Sequence, residues 1–386
     1  MKKQDIGVLV TCCCMIASTI GILTNGAGVF FTPIADDFGV GRGAVSLTLT
    51  ISNVAYAIGG LFTVKWLHNN NFKRMMTIFA LIYGITTSLL GLCTSVVSMY
   101  VLNVFRGFST GVVGMVLVTI LINNHIHSNV GLATSIALAF SGLSGAVFSP
   151  LFTSIINSIG WRMTYVFLGV FAFVLYLPCI LGPMGMGNKE VVESNASSKE
   201  VSSNTKVPFF IFLIVAAYIL ACSAGTALPQ HFPSMIENGS VLVSICMITN
   251  TGSKVLFGIM ADKIGTVKSL LVYGVLACLG LGCLIVSKEM VFWMVGATFV
   301  GFIYAMSAVG GVLFSREVFQ SEYDTYYPKI ALIGTLSNAA LTTCIGLMYD
   351  IFHSYIQALV LLLVFMVISL VCVVICSKTK SKNLVK

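Results

Sequence analysis

Gly258-Ile259-Met260-Ala261-Asp262-Lys263-Ile264-Gly265-Thr266-Val267-Lys268 is a short charged turn held between two long apolar runs, Ser240 to Ala261 and Val267 to Val286. A helix needs roughly 20 apolar residues to cross the hydrocarbon core of a bilayer, and each run is about that long. The turn therefore reads as the place where the chain leaves a membrane and immediately re-enters it. A fainter copy lies upstream, where Gly60-Leu61-Phe62-Thr63-Val64-Lys65 is followed by Lys73-Arg74, again between apolar runs. One device used twice implies a chain built from two related halves.

Composition agrees with lipid as the solvent. Of 386 residues, 57% are hydrophobic and 9% charged, whereas soluble domains carry about a quarter charged residues. Unpaired backbone groups find no water inside a bilayer, so long apolar runs must span as helices. Strand-like alternation is absent, which excludes a barrel. The 12 cysteines lie almost entirely in apolar stretches, with no C-x-x-C spacing, and read as small hydrophobes. Neither a metal nor a cofactor is expected, and no G-x-x-x-x-G-K-S/T motif suggests direct ATP drive.

Apolar runs fall at about Ile6 to Phe31, Val45 to Val64, Met75 to Val97, Met99 to Ile122, Val130 to Ile156 and Thr164 to Leu181. A second set covers Phe209 to Leu228, Ser240 to Ala261, Val267 to Val286, Val291 to Ser315, Lys329 to Met348 and Tyr355 to Cys376. The expectation is an all-α membrane protein of twelve transmembrane helices in two pseudo-symmetric six-helix halves, residues 1–182 and 208–386, the second ending in a short basic tail. Residues 183–207 hold Asn188-Lys189-Glu190 and a Ser-rich stretch, too poor in apolar groups to fold alone, and read as a linker. The first apolar run lacks a small-residue cleavage pattern before Pro33 and reads as an uncleaved span.

The net charge of +8 is distributed by topology rather than gathered on one face, so nucleic acid is not an expected partner. With a cytoplasmic N-terminus, the outer loops hold only Arg42, Arg162 and Lys288. Arg106 and Lys254 lie inside spans, and every other Lys and Arg falls on the cytoplasmic side, as the positive-inside rule requires. Both termini and the linker are expected in the cytoplasm, the chain as a monomer in the cell membrane. Paired halves of this kind place a solute site near the bilayer midplane and work by alternating access.

The signature turn resembles that of the major facilitator superfamily, G-x-x-x-D-R/K-x-G-x-x-R/K between helices 2 and 3 and again between helices 8 and 9. Gly258, Asp262, Lys263, Gly265 and Lys268 match it. In the first copy Val64 stands where the acid belongs, and residues around His68 to Asn71 interrupt the pattern. More narrowly, Val130-Gly131-Leu132-Ala133-Thr134-Ser135-Ile136-Ala137, Gly160-Trp161-Arg162, Tyr349-Asp350, Gly28-Val29-Phe30-Phe31 and a helix 8 cation at Lys254 are similar to the monocarboxylate and oxalate/formate branch. The resemblance implies a carboxylate transporter. Its proton-coupled members carry an acid four residues before the helix 8 cation and a lysine in helix 1, where this chain has Asn250 and Asn25.

A charge inside a span costs at least about 2.5 to 3.5 kcal/mol on insertion scales and marks function by default. Lys254 shares its helix face with Asn250 and Gly258 at i−4 and i+4; the rival reading has it snorkel toward the cytoplasmic surface. Arg106 resembles a degraded helix 4 arginine motif of the superfamily, and its rival reading is an outer-leaflet anchor near Tyr100. The face formed by Gly107, Gly111 and Gly114 argues for tight helix packing. All 13 acids lie in loops or at span ends, so the solute site has cations without carboxylates and should attract an anion. A carboxylate has two oxygens to accept from an ammonium or guanidinium. The histidines, His68, His125, His127, His231 and His353, also fall at or near span ends; if protons are coupled, Lys254 is the group to carry them, and a counter-substrate is at least as good a partner.

Mid-span polar residues that could contact substrate are Asn25, Tyr304 and Asn338, ahead of Asn53, Tyr56, Tyr218, Ser307 and Thr342. For each, an interhelical hydrogen bond is the simpler role. Ser141 to Gly145 with Pro150 implies a bend in helix 5, Pro229 and Pro233 a break in helix 7, and Gly301, Gly310 and Gly311 flexing in helix 10. Two rivals to an anion carrier stand: an efflux carrier for amphipathic compounds, using the 26 Phe and 17 Met, and a transport-dead sensor or intramembrane enzyme. The last lacks any acid, histidine pair or metal cluster at depth.

Overall fold

Ten helical stretches among the described residues are long and apolar enough to cross a membrane. The structure, a computed structural model, describes residues 3–69, 72–126, 130–182 and 209–383. One of the ten, Ala133–Leu181, has 49 residues; at 1.5 Å per residue it would run to about 70 Å, more than twice the hydrocarbon thickness. It is two passes, because the continuous helix Val130–Val174 leaves helical geometry at Gly160, with φ 80°. Phe72–Leu90, whose first turn holds Lys73 and Arg74, completes the set of twelve.

In chain order, span 1 is Asp5–Phe38, span 2 Arg42–Asn69, span 3 Phe72–Leu90 and span 4 Val96–His125; spans 5 and 6 lie either side of Gly160. Span 7 is Phe209–Met235, span 8 Gly239–Ile264, span 9 Thr266–Val286, span 10 Met290–Phe319, span 11 Tyr323–Phe352 and span 12 Ile356–Asn383. The chain divides into two compact units, Met1–Ser198 and Lys199–Lys386. The segment read as linker, 183–207, lies outside the described residues.

Each unit repeats the same pairings. In the first, span 4 packs on spans 2 and 3, and span 1 on spans 5 and 6; in the second, span 10 packs on spans 8 and 9, and span 7 on spans 11 and 12. Spans 3 and 6 meet through Ser88 Oγ, which donates to Val166 O at 3.0 Å; spans 9 and 12 pack likewise. The repeat inferred from two charged turns thus extends to helix packing.

The breaks in helical geometry repeat too. Span 1 is π-helical over Ala17–Asn25 and 3-10 over Ala27–Phe30. Span 4 breaks at Val113 and Gly114. Span 7 leaves α-geometry after Gly225 and becomes 3-10 over Leu228–His231, and span 10 is π-helical over Met306–Gly310. Every third span is irregular. Since irregular backbone at membrane depth survives only against protein or water, these four spans turn their irregular stretches to protein or to a water-filled space rather than to lipid. Pro150 lies inside the continuous helix of span 5, and the chain turns at Gly160, where a positive φ suits a residue without Cβ.

Just past that turn, Arg162 ties three span ends together. Its Nη2 pairs with Asp37 Oδ2 at 2.8 Å, its Nη1 donates to Cys93 O at 2.6 Å, and its guanidinium lies 4.4 Å from the Trp161 ring. Because the Asp37 pair is half-exposed, it is worth at most about 1 kcal/mol. The charged hydrogen bond to the Cys93 carbonyl, worth about 1.5 to 3 kcal/mol, dominates. Arg162→Ala is therefore expected to lower the melting temperature clearly more than Asp37→Asn, measured by thermal unfolding in detergent; equal effects would show that the ion pair is the clamp.

Candidate substrate site

In the first unit the π-helical stretch of span 1 turns its polar groups toward its neighbours. Ser18 Oγ donates to Ala172 O of span 6 at 3.1 Å, and Tyr83 of span 3 donates to Ser18 O at 2.9 Å. Asn25 Nδ2 donates to Ser141 O of span 5 at 2.8 Å, so this candidate has the interhelical role. Its glycine-rich surroundings allow the approach: a Cβ at Gly21 would overlap the Ser144 hydroxyl.

Arg106 lies beside Tyr83 and Tyr165, and its Nη1 donates to Asn103 Oδ1 at 3.3 Å. It is 4% exposed, its Nε has no partner, and it forms no ion pair among the described residues. An outer-leaflet anchor would keep its guanidinium in the headgroups, so burial removes that reading. What remains is an interior cation held by a neutral amide and a tyrosine hydroxyl.

In the second unit two candidates converge on a residue the sequence reading passed over. Tyr304 of span 10 donates to Thr226 O at 2.9 Å, and Asn338 Nδ2 of span 11 donates to Thr226 Oγ1 at 2.7 Å. The network continues on both sides. Ser223 and Ser307 share a hydrogen bond of 2.9 Å, Thr342 Oγ1 donates to Gln230 Oε1 at 3.2 Å, and His231 Nε2 lies 2.9 Å from Thr342 O. A carbonyl only accepts, so that nitrogen carries a proton. His231, close to a span end by number, is fully buried. Tyr304, Asn338, Ser307 and Thr342 were legible as mid-span polar groups, while Thr226 had for its signal only the small and polar run Ser223-Ala224-Gly225-Thr226 ahead of Pro229.

Span 8 supplies the remaining group. Tyr304 lies beside Cys246, one turn before Asn250. Asn250 is 2% exposed; its Nδ2 meets only Met247 Sδ, at 3.7 Å, and its Oδ1 has no partner. Lys254, one turn further, is half-buried with no hydrogen bond or ion pair among the described residues. A Cβ at Gly258 would meet nothing within 4 Å, so this face is open inside its own unit. At its end Gly265 turns the chain with φ 90°, a conformation that suits only glycine, while Asp262, Lys263 and Lys268 are exposed and form no ion pair among the described residues. The structure thus links Tyr304 with Asn338 and aligns Asn250, Lys254 and Gly258; Asn25 and Arg106 belong to the first unit, and no hydrogen bond joins them.

Twelve helical passes in two like units, each with buried polar groups on its irregular spans, define a polytopic membrane carrier. The profile of the Major Facilitator Superfamily matches residues 8–240, and the chain belongs to that family of transporters. Solved structures agree in fold. A bacterial homolog to the human lysosomal transporter Spinster, inward-facing and unoccupied, superposes with a TM-score of 0.70 at 16% identity over 99% of both chains. Its occupied form gives 0.71 at 14% identity over 98% of both. The nucleoside transporter NupG, in a mutant form, gives 0.70 at 12% identity over 97% of this chain and 99% of that one. No curated protein sequence matches significantly.

Proposed function

We infer that the protein carries a small organic anion, a carboxylate of the kind moved by the monocarboxylate and oxalate/formate branch, by alternating access. The observation that carries this reading is Lys254: a half-buried ammonium inside span 8 with no partner among the described residues. A charge kept in a span without a counter-charge in its own protein is accounted for if the substrate brings one. Asn250 supports it, since its amide spends its hydrogen-bonding groups on a single methionine sulfur. A half-turn about its last bond would present two N–H donors beside the ammonium. In the first unit Arg106 is a second buried cation suited to an anion, with Asn25 among that unit's polar groups; in the second, Tyr304 and Asn338 extend the polar wall near span 8. The Gly258–Lys268 turn and both termini face the cytoplasm in this reading, and the membrane is the cell membrane.

Exchange of one anion for another fits better than proton symport, because no carboxylate lies at depth in the sequence. Purified protein in liposomes loaded with an unlabelled carboxylate should give a transient overshoot of labelled carboxylate, tested over a panel of mono- and dicarboxylates, with no added acceleration from an imposed pH gradient. If no carboxylate gives counterflow while a cationic dye is moved, the anion reading fails. Acceleration by the gradient in wild type, lost in Lys254→Gln, would instead make Lys254 a proton carrier.

A further inference from the structure

At the end of the second unit opposite the Gly258–Lys268 turn, the chain segments before span 8, between spans 9 and 10, and between spans 11 and 12 border a half-open cavity of about 270 Å³. A single water needs only about 10 to 15 Å³ of such space, so the cavity has room for a small organic molecule. Leu284 and Leu359 give it an apolar floor, and Trp293, Tyr349 and Tyr355 give it aromatic walls. Those walls are fixed. Tyr349 and Tyr355 stack with ring centroids 4.5 Å apart, and the Trp293 indole donates to Ser287 O at 2.9 Å. Lys288 and His353 also line the cavity, and no carboxylate does, although Glu237, Glu289 and Asp350 lie on adjoining chain. Neither the Lys288 nor the His353 side chain has a hydrogen-bonding or ionic partner among the described residues.

The backbone at His353 is the second observation. It caps span 11 in the left-handed conformation, φ 52° and ψ 26°, its amide donating to Tyr349 O at 2.7 Å. Glycine takes this place without strain; an imidazole there is strained, and such strain points to a use for the side chain. Apolar floor, flat aromatic walls and a few convergent polar groups are the composition of a small-molecule site.

We propose that this cavity is a peripheral binding site, separate from Lys254, for an amphipathic anion whose acidic head is held by Lys288 and His353 and whose apolar body fills the aromatic slot. A free aromatic carboxylate and the headgroup of an anionic lipid share that chemistry. The test is calorimetric titration with 2-naphthoate of the full-length Lys254→Gln protein in detergent, a background that removes the transport-site ammonium from the measurement. Saturable one-site binding is expected, weakened at least tenfold in Lys288→Gln/His353→Gly and at least tenfold for the neutral 2-naphthamide. His353→Gly alone should weaken binding while leaving the melting temperature equal or higher, since it releases the left-handed strain. Undiminished binding by the double variant, equal affinity for the amide, or a sharp loss of stability in His353→Gly would overturn the proposal. Repeating the titration in phosphatidylcholine and phosphatidylglycerol nanodiscs identifies the resident anion: competition by phosphatidylglycerol assigns a lipid headgroup, equal affinity a free anion, and both outcomes support the site. Failure here leaves the transport reading standing, because Lys254 does not line this cavity.

Discussion

Replacing Lys254 by glutamine is expected to abolish carboxylate counterflow while leaving the protein at least as heat-stable as before. Two energies decide the outcome. In the empty protein the ammonium is half-buried in a span with no counter-charge among the described residues, so removing it relieves a cost of at least about 2.5 to 3.5 kcal/mol on insertion scales. With a carboxylate bound, the same ammonium forms charged hydrogen bonds worth about 1.5 to 3 kcal/mol each. One or two of them amount to a loss of affinity between about tenfold and about ten-thousandfold on substitution, since about 1.4 kcal/mol is tenfold. Glutamine keeps the length and a donor but not the charge. Lys254→Arg, which keeps the charge, should retain measurable exchange with altered substrate preference, because its planar fork meets a carboxylate differently. A structural lysine would behave in the opposite way: Lys254→Gln would melt earlier and bind its anion unchanged. Counterflow rates beside thermal unfolding of the same preparations separate the two.

The passes and the signature turn were readable because their causes are local. Twenty apolar residues between charges state their solvent wherever they occur, and Gly265 announces a turn that needs positive φ. Even so, boundaries slipped where helix propensity ran beyond the apolar run: span 2 continues to Asn69, five residues past Val64. The four irregular spans were only half visible. Pro229 and Pro233 pointed to the break in span 7 and Gly310 to that in span 10, but nothing in Ala17-Ser18-Thr19-Ile20-Gly21 distinguishes a π-helix from an α-helix by residue type. Gly160, where spans 5 and 6 part, was visible only as the start of Gly160-Trp161-Arg162, and its positive φ is a structural fact. The convergence on Thr226 was hidden for a different reason. Tyr304 and Asn338 are separated from it by 78 and 112 residues, and only packing brings them together. Lys254 and Arg106 were legible as charges out of place. Their surroundings, an orphaned asparagine for one and two tyrosines with an asparagine for the other, are tertiary facts.

Valine at Gly111 is expected to leave no folded protein, and alanine there to lower the melting temperature by several degrees. The seam between spans 2 and 4 is a contact of backbones. A Cβ at Gly111 would overlap Tyr56 O, one at Gly107 would overlap Ser52 O, and from the other side one at Gly59 would overlap Phe108 O. A carbonyl oxygen in a helix has no rotamer to escape into, so the helices themselves must part. Parting them undoes more than van der Waals contact. Thr63 Oγ1 donates across the seam to Val112 O at 3.0 Å, and Tyr56 OH accepts from Met115 N at 3.1 Å, serving a backbone N–H that the break in span 4 leaves without its helical acceptor. Overpacking alone costs about 1 to 3 kcal/mol. Parting the helices also takes the Met115 N–H from its tyrosine acceptor, a hydrogen bond worth about 0.5 to 1.5 kcal/mol, and a branched side chain makes both unavoidable. The same seam holds span 4 in place and with it Arg106, so Gly111→Ala should also weaken anion binding in whatever fraction folds. Gly282→Ala is the control, since a Cβ there meets nothing within 4 Å; it should stabilise slightly, by the roughly 1 kcal/mol that separates glycine from alanine inside a helix. If Gly111→Ala melts with wild type and Gly282→Ala alike, the two backbones do not touch and Arg106 owes its burial to something other than this seam.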